Sequence, residues 1–166
     1  MEELVNRVAA SGLVTLDLEA FLPSGISEFD LRGYLYMDQV IREKDYREQL
    51  KKTDWTVYQG KKVAICCTAD AVVPVWAFML AAVYLQPIAS RVAFSTPGQL
   101  STTLLLEALD GLDPEKFRGQ RVVVKGCGDQ AIPTEAYVAV TSKLLPVVRS
   151  LMFGEPCSTV PLFKSP

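Results

Sequence analysis

Asp54–Pro97 reads DWTVYQGKKVAICCTADAVVPVWAFMLAAVYLQPIASRVAFSTP, and Asp113–Pro156 reads DPEKFRGQRVVVKGCGDQAIPTEAYVAVTSKLLPVVRSLMFGEP. Laid over each other at a constant offset of 59 without a gap, they share ten of 44 positions, where ordinary composition gives about three by chance. The identities are Asp54/Asp113, Gly60/Gly119, Val63/Val122, Asp70/Asp129, Pro74/Pro133, Ala77/Ala136, Leu85/Leu144, Pro87/Pro146, Phe94/Phe153 and Pro97/Pro156. Conservative pairs such as Tyr58/Phe117, Ile65/Val124 and Phe78/Tyr137 add to them. Local rules place Gly before a strand and Pro at a helix start in any β-α-β unit, which accounts for some matches. The unbroken register points beyond that to an internal duplication.

Each copy has the same grammar. An Asp able to cap a short turn precedes an aromatic residue and a Gly, and a basic residue then leads into a β-branched run, Val63 to Cys66 or Val122 to Val124. Pro74 and Pro133 suit the first turn of a helix, while Pro87 and Pro146 suit its exit. A second apolar strand closes each unit, at Val92 to Phe94 and at Val148 to Phe153. Gln99 to Leu109 reads as a connecting helix within 98–112. Strands joined by helices imply an α/β fold, an open and mostly parallel sheet of about four to six strands with helices on both faces. Residues 1–53 are less regular: Leu13 to Leu18 alternates as a strand does, Phe29 to Val40 is ambiguous, and Arg42 to Lys52 is a charged helix with Glu43–Arg47 and Glu48–Lys52 pairs. Residues 157–166 read as a tail, and the 166 residues as one domain.

Composition narrows the function. Lys plus Arg at 17 against Asp plus Glu at 19 gives a net charge of −2, which makes no electrostatic case for nucleic acid or an anionic membrane as partner. The chain contains no histidine, which removes Ser-His-Asp and Cys-His catalysis and the commonest metal ligand. Met1-Glu2-Glu3 is acidic where a secretory signal is basic, so the expected location is cytoplasmic. Cys66, Cys67, Cys127 and Cys157 are then expected as thiols rather than disulfides. Residues 71 to 85 are apolar throughout, yet a bilayer core needs about 20 residues and prolines bound the run. A helix apolar on every side must be covered on every side. The expectation is a homo-oligomer, with Val75, Trp76, Met79, Val83 and Tyr84 as candidate interface residues.

The runs IREKDYREQLKKTDW (41–55), CTADAVVPVWAFMLAAVYLQP (67–87), KGCGDQAIPTEAYV (125–138) and GEPCSTVPLFK (154–164) resemble those of a small bacterial family, domain of unknown function 2480. The similarity covers nearly the whole chain. It implies a stand-alone bacterial protein of this size, and the family brings no assigned activity or site residue with it.

In open parallel sheets ligands bind beyond the carboxyl ends of the strands. If the two units share one sheet with their first strands adjacent, the loops Cys67-Thr68-Ala69-Asp70 and Gly126-Cys127-Gly128-Asp129 flank one crevice. The candidate ligand-binding residues are therefore Cys67, Thr68, Asp70, Gly126, Cys127, Gly128 and Asp129, with the acids favouring a cationic or hydrogen-bond-donating small molecule. The bland reading makes each Asp an Asx turn or helix cap and each Cys a small buried apolar group. No cofactor is required by the sequence. Cys67, Cys127 and Cys157 with Asp70 or Asp129 could hold zinc or iron, although no Cys-x-x-Cys pair is present. A thiol-dependent enzyme is opposed by the neighbouring acids and by the lack of a histidine base. Gly126-x-Gly128-x-x-Ala131 matches a variant dinucleotide fingerprint, but its helix is expected only from Pro133 and Asp129 repels a pyrophosphate. The reading that remains foremost is a cytoplasmic, homo-oligomeric binding or structural protein with a small-ligand crevice.

Overall fold

The computed structural model of the chain describes residues 5–8, 12–126, 128–155 and 157–166. It is a mixed α/β protein in which the chain divides into two compact units, 23–101 and the pair of segments up to Leu22 and from Thr102. The first is therefore inserted, in sequence, into the second.

The continuous unit, 23–101, is built on three parallel strands in the order β3 (Ile26–Asp30), β4 (Lys62–Cys66), β5 (Arg91–Phe94). Central β4 is buried on both faces from Val63 to Cys66, as a continuous apolar run in a parallel sheet should be. Helix α1 (Glu43–Lys52) buries Tyr46 and Leu50, one turn apart, and keeps its charged residues on the other side, where Arg47 pairs with Glu43 at 3.0 Å. Helix α2 (Val75–Leu85) buries Ala77, Ala81 and Leu85 along one stripe. The Tyr46 hydroxyl donates to the Ala77 carbonyl at 2.9 Å and so ties α1 to α2. Phe29 of β3 sits at the centre of an aromatic cluster, with the rings of Tyr34, Trp55 and Tyr58 at 5.4, 5.3 and 5.7 Å.

The discontinuous unit carries a five-stranded sheet in the order β1 (Val5–Val8), β2 (Leu13–Leu16), β6 (Arg121–Lys125), β7 (Ser150–Glu155), β8 (Ser158–Lys164). Its three middle strands are parallel, and β1 and β8 add antiparallel edges. Helix α3 (Pro97–Asp110) leads into this unit and α4 (Thr134–Leu144) packs Ala136, Val140 and Leu144 into its core with Leu105, Leu109, Val122 and Val124.

The duplication holds element by element at the offset of 59: short 3₁₀ turns Trp55–Tyr58 and Pro114–Phe117, each capped by its Asp, then β4 and β6, α2 and α4, β5 and β7. Pro74 and Pro133 are the helix N-caps with nearly identical backbone angles. The likeness also reaches further back, because Tyr46 and Leu50 of α1 correspond to buried Leu105 and Leu109 of α3. A second, shorter repeat completes it. Gly12 to Leu22 matches Gly25 to Leu35 at an offset of 13, with Gly12/Gly25 both at positive φ; Asp17 follows β2 directly, Asp30 ends β3, and each caps a 3₁₀ turn. Each unit is thus one copy of the same β-α-β-α-β module.

That result corrects the expectation of a single sheet. The first strands of the two β-α-β units, β4 and β6, are not neighbours: β3 pairs with β4 and β2 pairs with β6. The partner that each first strand needs comes from the N-terminal segment: β2 lies within the alternating run Leu13 to Leu18, as its pattern implies, whereas β3 begins ahead of the ambiguous stretch Phe29 to Val40. The tail beyond residue 157 is also corrected, since Ser158–Lys164 forms β8.

Candidate functional site

Beyond the carboxyl ends of β2 and β6 lies a cleft of about 440 Å³ whose lining includes Asp17, Glu19, Lys125, Gly128, Asp129 and Tyr137. The register sets it up. Leu16 pairs with Val124, so Asp17 and Lys125 leave their strands side by side, and Lys125 Nζ meets Asp17 Oδ2 at 2.9 Å. This pairing with Asp17 raises the Lys125 pKa. The other Asp17 oxygen accepts from the Glu19 amide at 3.0 Å, capping the 3₁₀ turn Leu18–Phe21. Glu19 in turn accepts from the Gln130 amide at 2.8 Å.

The glycines of this loop serve the protein's own side chains. A Cβ on Gly128 would overlap the Glu19 carboxylate, and one on Gly126 would overlap the Phe153 ring. Phe153 meets Tyr137 edge to face at 5.5 Å and forms an apolar wall of the cleft. The Gln130 amide that a pyrophosphate would need is taken by Glu19, and α4 begins only at Thr134, which argues against the nucleotide reading. Among the described residues that line it, three carboxylates against one ammonium leave the cleft acidic.

The same edge of the other unit is built differently. Cys66 stands where Lys125 does, and Asp30 where Asp17 does. Asp30 accepts from the Arg32 amide at 2.9 Å, the Thr68 amide at 3.0 Å and the Thr68 hydroxyl at 2.5 Å. Burial pushes the Asp30 carboxyl up, but these hydrogen bonds outweigh it and hold it below its usual value. Glu28, Asp30 and Cys66 bring their ligand atoms within 4.8 Å of one another, a sulfur and oxygen set of the kind zinc accepts. The Cys66 thiol is nonetheless held protonated: burial, then the Glu28 and Asp30 charges, push it up to about 12.

Of the residues singled out in the sequence, Gly126, Gly128 and Asp129 line the first cleft, whereas Cys67, Thr68 and Asp70 belong to the other unit. Cys127 lies outside the described residues. Neither Asp70 nor Asp129 caps a helix, because Pro74 and Pro133 are the caps. Cys67 is half-buried and in one unit, while Cys157 is exposed and in the other. Asp17, Glu19, Lys125, Glu28 and Asp30 are not among the residues the sequence singles out; the short Gly12 and Gly25 repeat is a signal for Asp17 and Asp30 alone. Val75, Trp76, Met79 and Val83 are exposed on α2, but Tyr84 is half-buried and stacks on Trp55 at 4.9 Å within its own unit.

Thiol reactivity separates these cysteines. At pH 8, iodoacetamide is expected to modify exposed Cys157 and leave Cys66 untouched, because the thiolate is the nucleophile and Cys66 ionises only near pH 12. A thiol whose folded pKa lies above its ordinary 9.0 stabilises the fold fully below pH 9 and progressively less as pH rises towards 12. Peptide mass mapping after timed alkylation checks the order, and equal rates at the two sites would contradict it.

The sequence pattern of a family described as Protein of unknown function (DUF2480) matches residues 2–165. The chain belongs to this family. Nearly the whole of both modules, including the acidic cleft, therefore falls within the DUF2480 region. No curated protein and no solved structure matches the chain. No helix among the described residues is long and apolar enough to cross a membrane.

Proposed function

We propose that the protein is a homodimeric, non-catalytic binding protein in which one copy of the module assembles the dimer and the other holds a small cationic ligand. The observation that carries this reading is how two copies of one module differ. At equivalent positions the outer face of α2 carries Val75, Met79 and Val83, which are 74%, 63% and 65% exposed, where α4 carries Thr134, Val138 and Ser142. The inner positions stay apolar in both. A helix that keeps its core face and carries no polar or charged side chain on its outer face, where α4 has Thr134, Glu135 and Ser142, is best explained by a protein surface covering it.

The edge strands make the same distinction. β7 is closed by β8, whereas β5 ends its sheet, with Phe94 75% exposed beside an apolar groove of about 430 Å³. A second copy is the occupant this face fits. Antiparallel pairing of two β5 edges would bring two α2 helices together over them, an isologous contact. The rim is also self-complementary, because Glu43 and Arg47 border α2 with one charge of each sign.

In the other copy, the acidic cleft favours a ligand bearing ammonium or other donor groups, with Tyr137 and Phe153 against its apolar part. Titration with spermidine, followed by amide NMR, is expected to give saturable shifts at Gly126, Gly128 and Gln130, and a neutral diol of similar length none. Asp129→Asn should weaken the affinity about fivefold, the loss of roughly 1 kcal/mol for a partly solvated ion pair. Absence of saturable shifts at these residues would overturn the assignment of the cleft.

A further inference from the structure

The discontinuous unit holds a second cavity, and its reading does not rest on that of the acidic cleft. It measures about 530 Å³, and its lining includes Leu16, Phe21, Ala108, Leu112, Asp113 and Phe117. The matching residues of the other copy of the module surround an indole. Trp55 stacks on Phe29 at 5.3 Å and on Tyr84 at 4.9 Å, and its ring Nε1 donates to the Leu50 carbonyl at 2.9 Å. Tyr58 meets the same ring at 6.2 Å. At the offsets of 13 and 59, Phe29 corresponds to Leu16, Tyr34 to Phe21, Thr53 to Leu112, Tyr58 to Phe117 and Trp55 itself to Pro114.

The frame around the ring is kept while the ring is lost. Asp54 and Asp113 each accept at 3.0 Å from the amide two residues on and cap their 3₁₀ turns. Leu50 and Leu109, near the ends of α1 and α3, each accept from the amide three residues on, at 3.3 and 3.1 Å. Within this frame the exchange of Trp55 for Pro114 and of Phe29 for Leu16 removes two large rings, whereas protein interiors keep few voids larger than a water molecule. Small-molecule sites are apolar clefts of about 300–1,000 Å³ with few convergent polar groups, a description this cavity meets. Tyr84, the second stacking partner, corresponds to Lys143, whose ammonium donates to the Asp110 carbonyl at the end of α3. A cation is also a favourable neighbour for an aromatic face. We propose that this cavity binds a small planar aromatic molecule with a ring N–H donor, which takes the place that the Trp55 side chain fills in the other copy. Phe21 and Phe117 hold its ring, and the Leu109 carbonyl accepts from its N–H.

Indole is the probe. Amide NMR of the full chain is expected to show saturable shifts at Leu112, Asp113 and Phe117 below about 5 mM. Benzofuran has the same shape with an oxygen in place of the N–H, and should bind at least about threefold more weakly because it cannot donate to the Leu109 carbonyl. Pro114→Trp restores the residue of the other copy at the first position of the same capped turn. It should lower indole affinity at least about tenfold while the denaturation midpoint holds or rises, since the new side chain fills the cavity. Ala108 is exposed, so Ala108→Gln, which installs the counterpart of Gln49, narrows the cavity without challenging the fold. This second variant should weaken indole binding about threefold. No saturable shift at these residues, shifts confined to the surroundings of Trp55, equal binding of benzofuran, or unchanged affinity in both variants would overturn the proposal.

Discussion

Met79→Lys is expected to leave the protein monomeric at concentrations where the unmodified chain is dimeric. Met79 lies midway along the exposed stripe of α2, between Val75 and Val83, and borders the apolar grooves on both sides of the helix. In an isologous interface the residue occurs twice, so one substitution buries two lysines without partners. A loss of about 2 kcal/mol at each copy raises the dissociation constant roughly a thousandfold. The molecule contains its own control. Val138 occupies the matching position on α4 and is 61% exposed, and Val138→Lys is expected to leave the mass in solution unchanged. Gel filtration of the two variants beside the unmodified chain checks both outcomes.

Phe29→Ala is expected to produce the largest loss of stability. The ring is buried at the meeting point of Tyr34, Trp55 and Tyr58 and belongs to the core that Tyr46, Leu50, Val63 and Ile65 complete. Truncating a buried Phe costs about 3–5 kcal/mol from the lost transfer energy and the cavity left behind, and ring contacts of this geometry add about 0.5–1.5 kcal/mol each. Against a total stability of about 5–15 kcal/mol, that brings the module close to unfolding at room temperature. Chemical denaturation followed by near-ultraviolet circular dichroism reads the effect. A shift equivalent to less than about 1 kcal/mol would mean that the aromatic cluster is not the centre of this core.

The duplicated β-α-β unit was legible because its strands are continuous apolar runs and its helices are bounded by prolines, both of which survive as identities at one offset. What remained hidden was the choice of strand partner. β3, ISEFD, exposes Glu28 and buries only Phe29 fully, so no apolar run announces it. Its likeness to the segment at Gly12 rests on Gly, Asp and two Leu positions at a different offset, which is too few to stand out. Without a partner assigned to each first strand the two units read as sharing one sheet, and the expectation of a crevice between their loops is built on that premise. With β2 and β3 in place, each first strand has a partner of its own.

The candidate site was half legible for the same reason. Gly126, Gly128 and Asp129 lie in a loop whose composition draws notice. Asp17, Glu19 and Lys125 matter only because the register of β2 on β6 brings residues 108 positions apart to 2.9 Å. The apolar surface of α2 was legible outright, since an uncharged helix needs cover whatever its topology. Tyr84 was misplaced on that face because apolarity on all sides gives no hint of which side turns inwards.

The division of labour between the two modules rests most directly on the state of assembly. Sedimentation equilibrium of the unmodified chain, of mass 18.3 kDa, is predicted to return twice that mass at micromolar concentration, shifting towards the single-chain mass only on strong dilution. A single-chain mass that persists at concentrations of hundreds of micromolar would contradict the account, since no second copy would then cover α2 and β5.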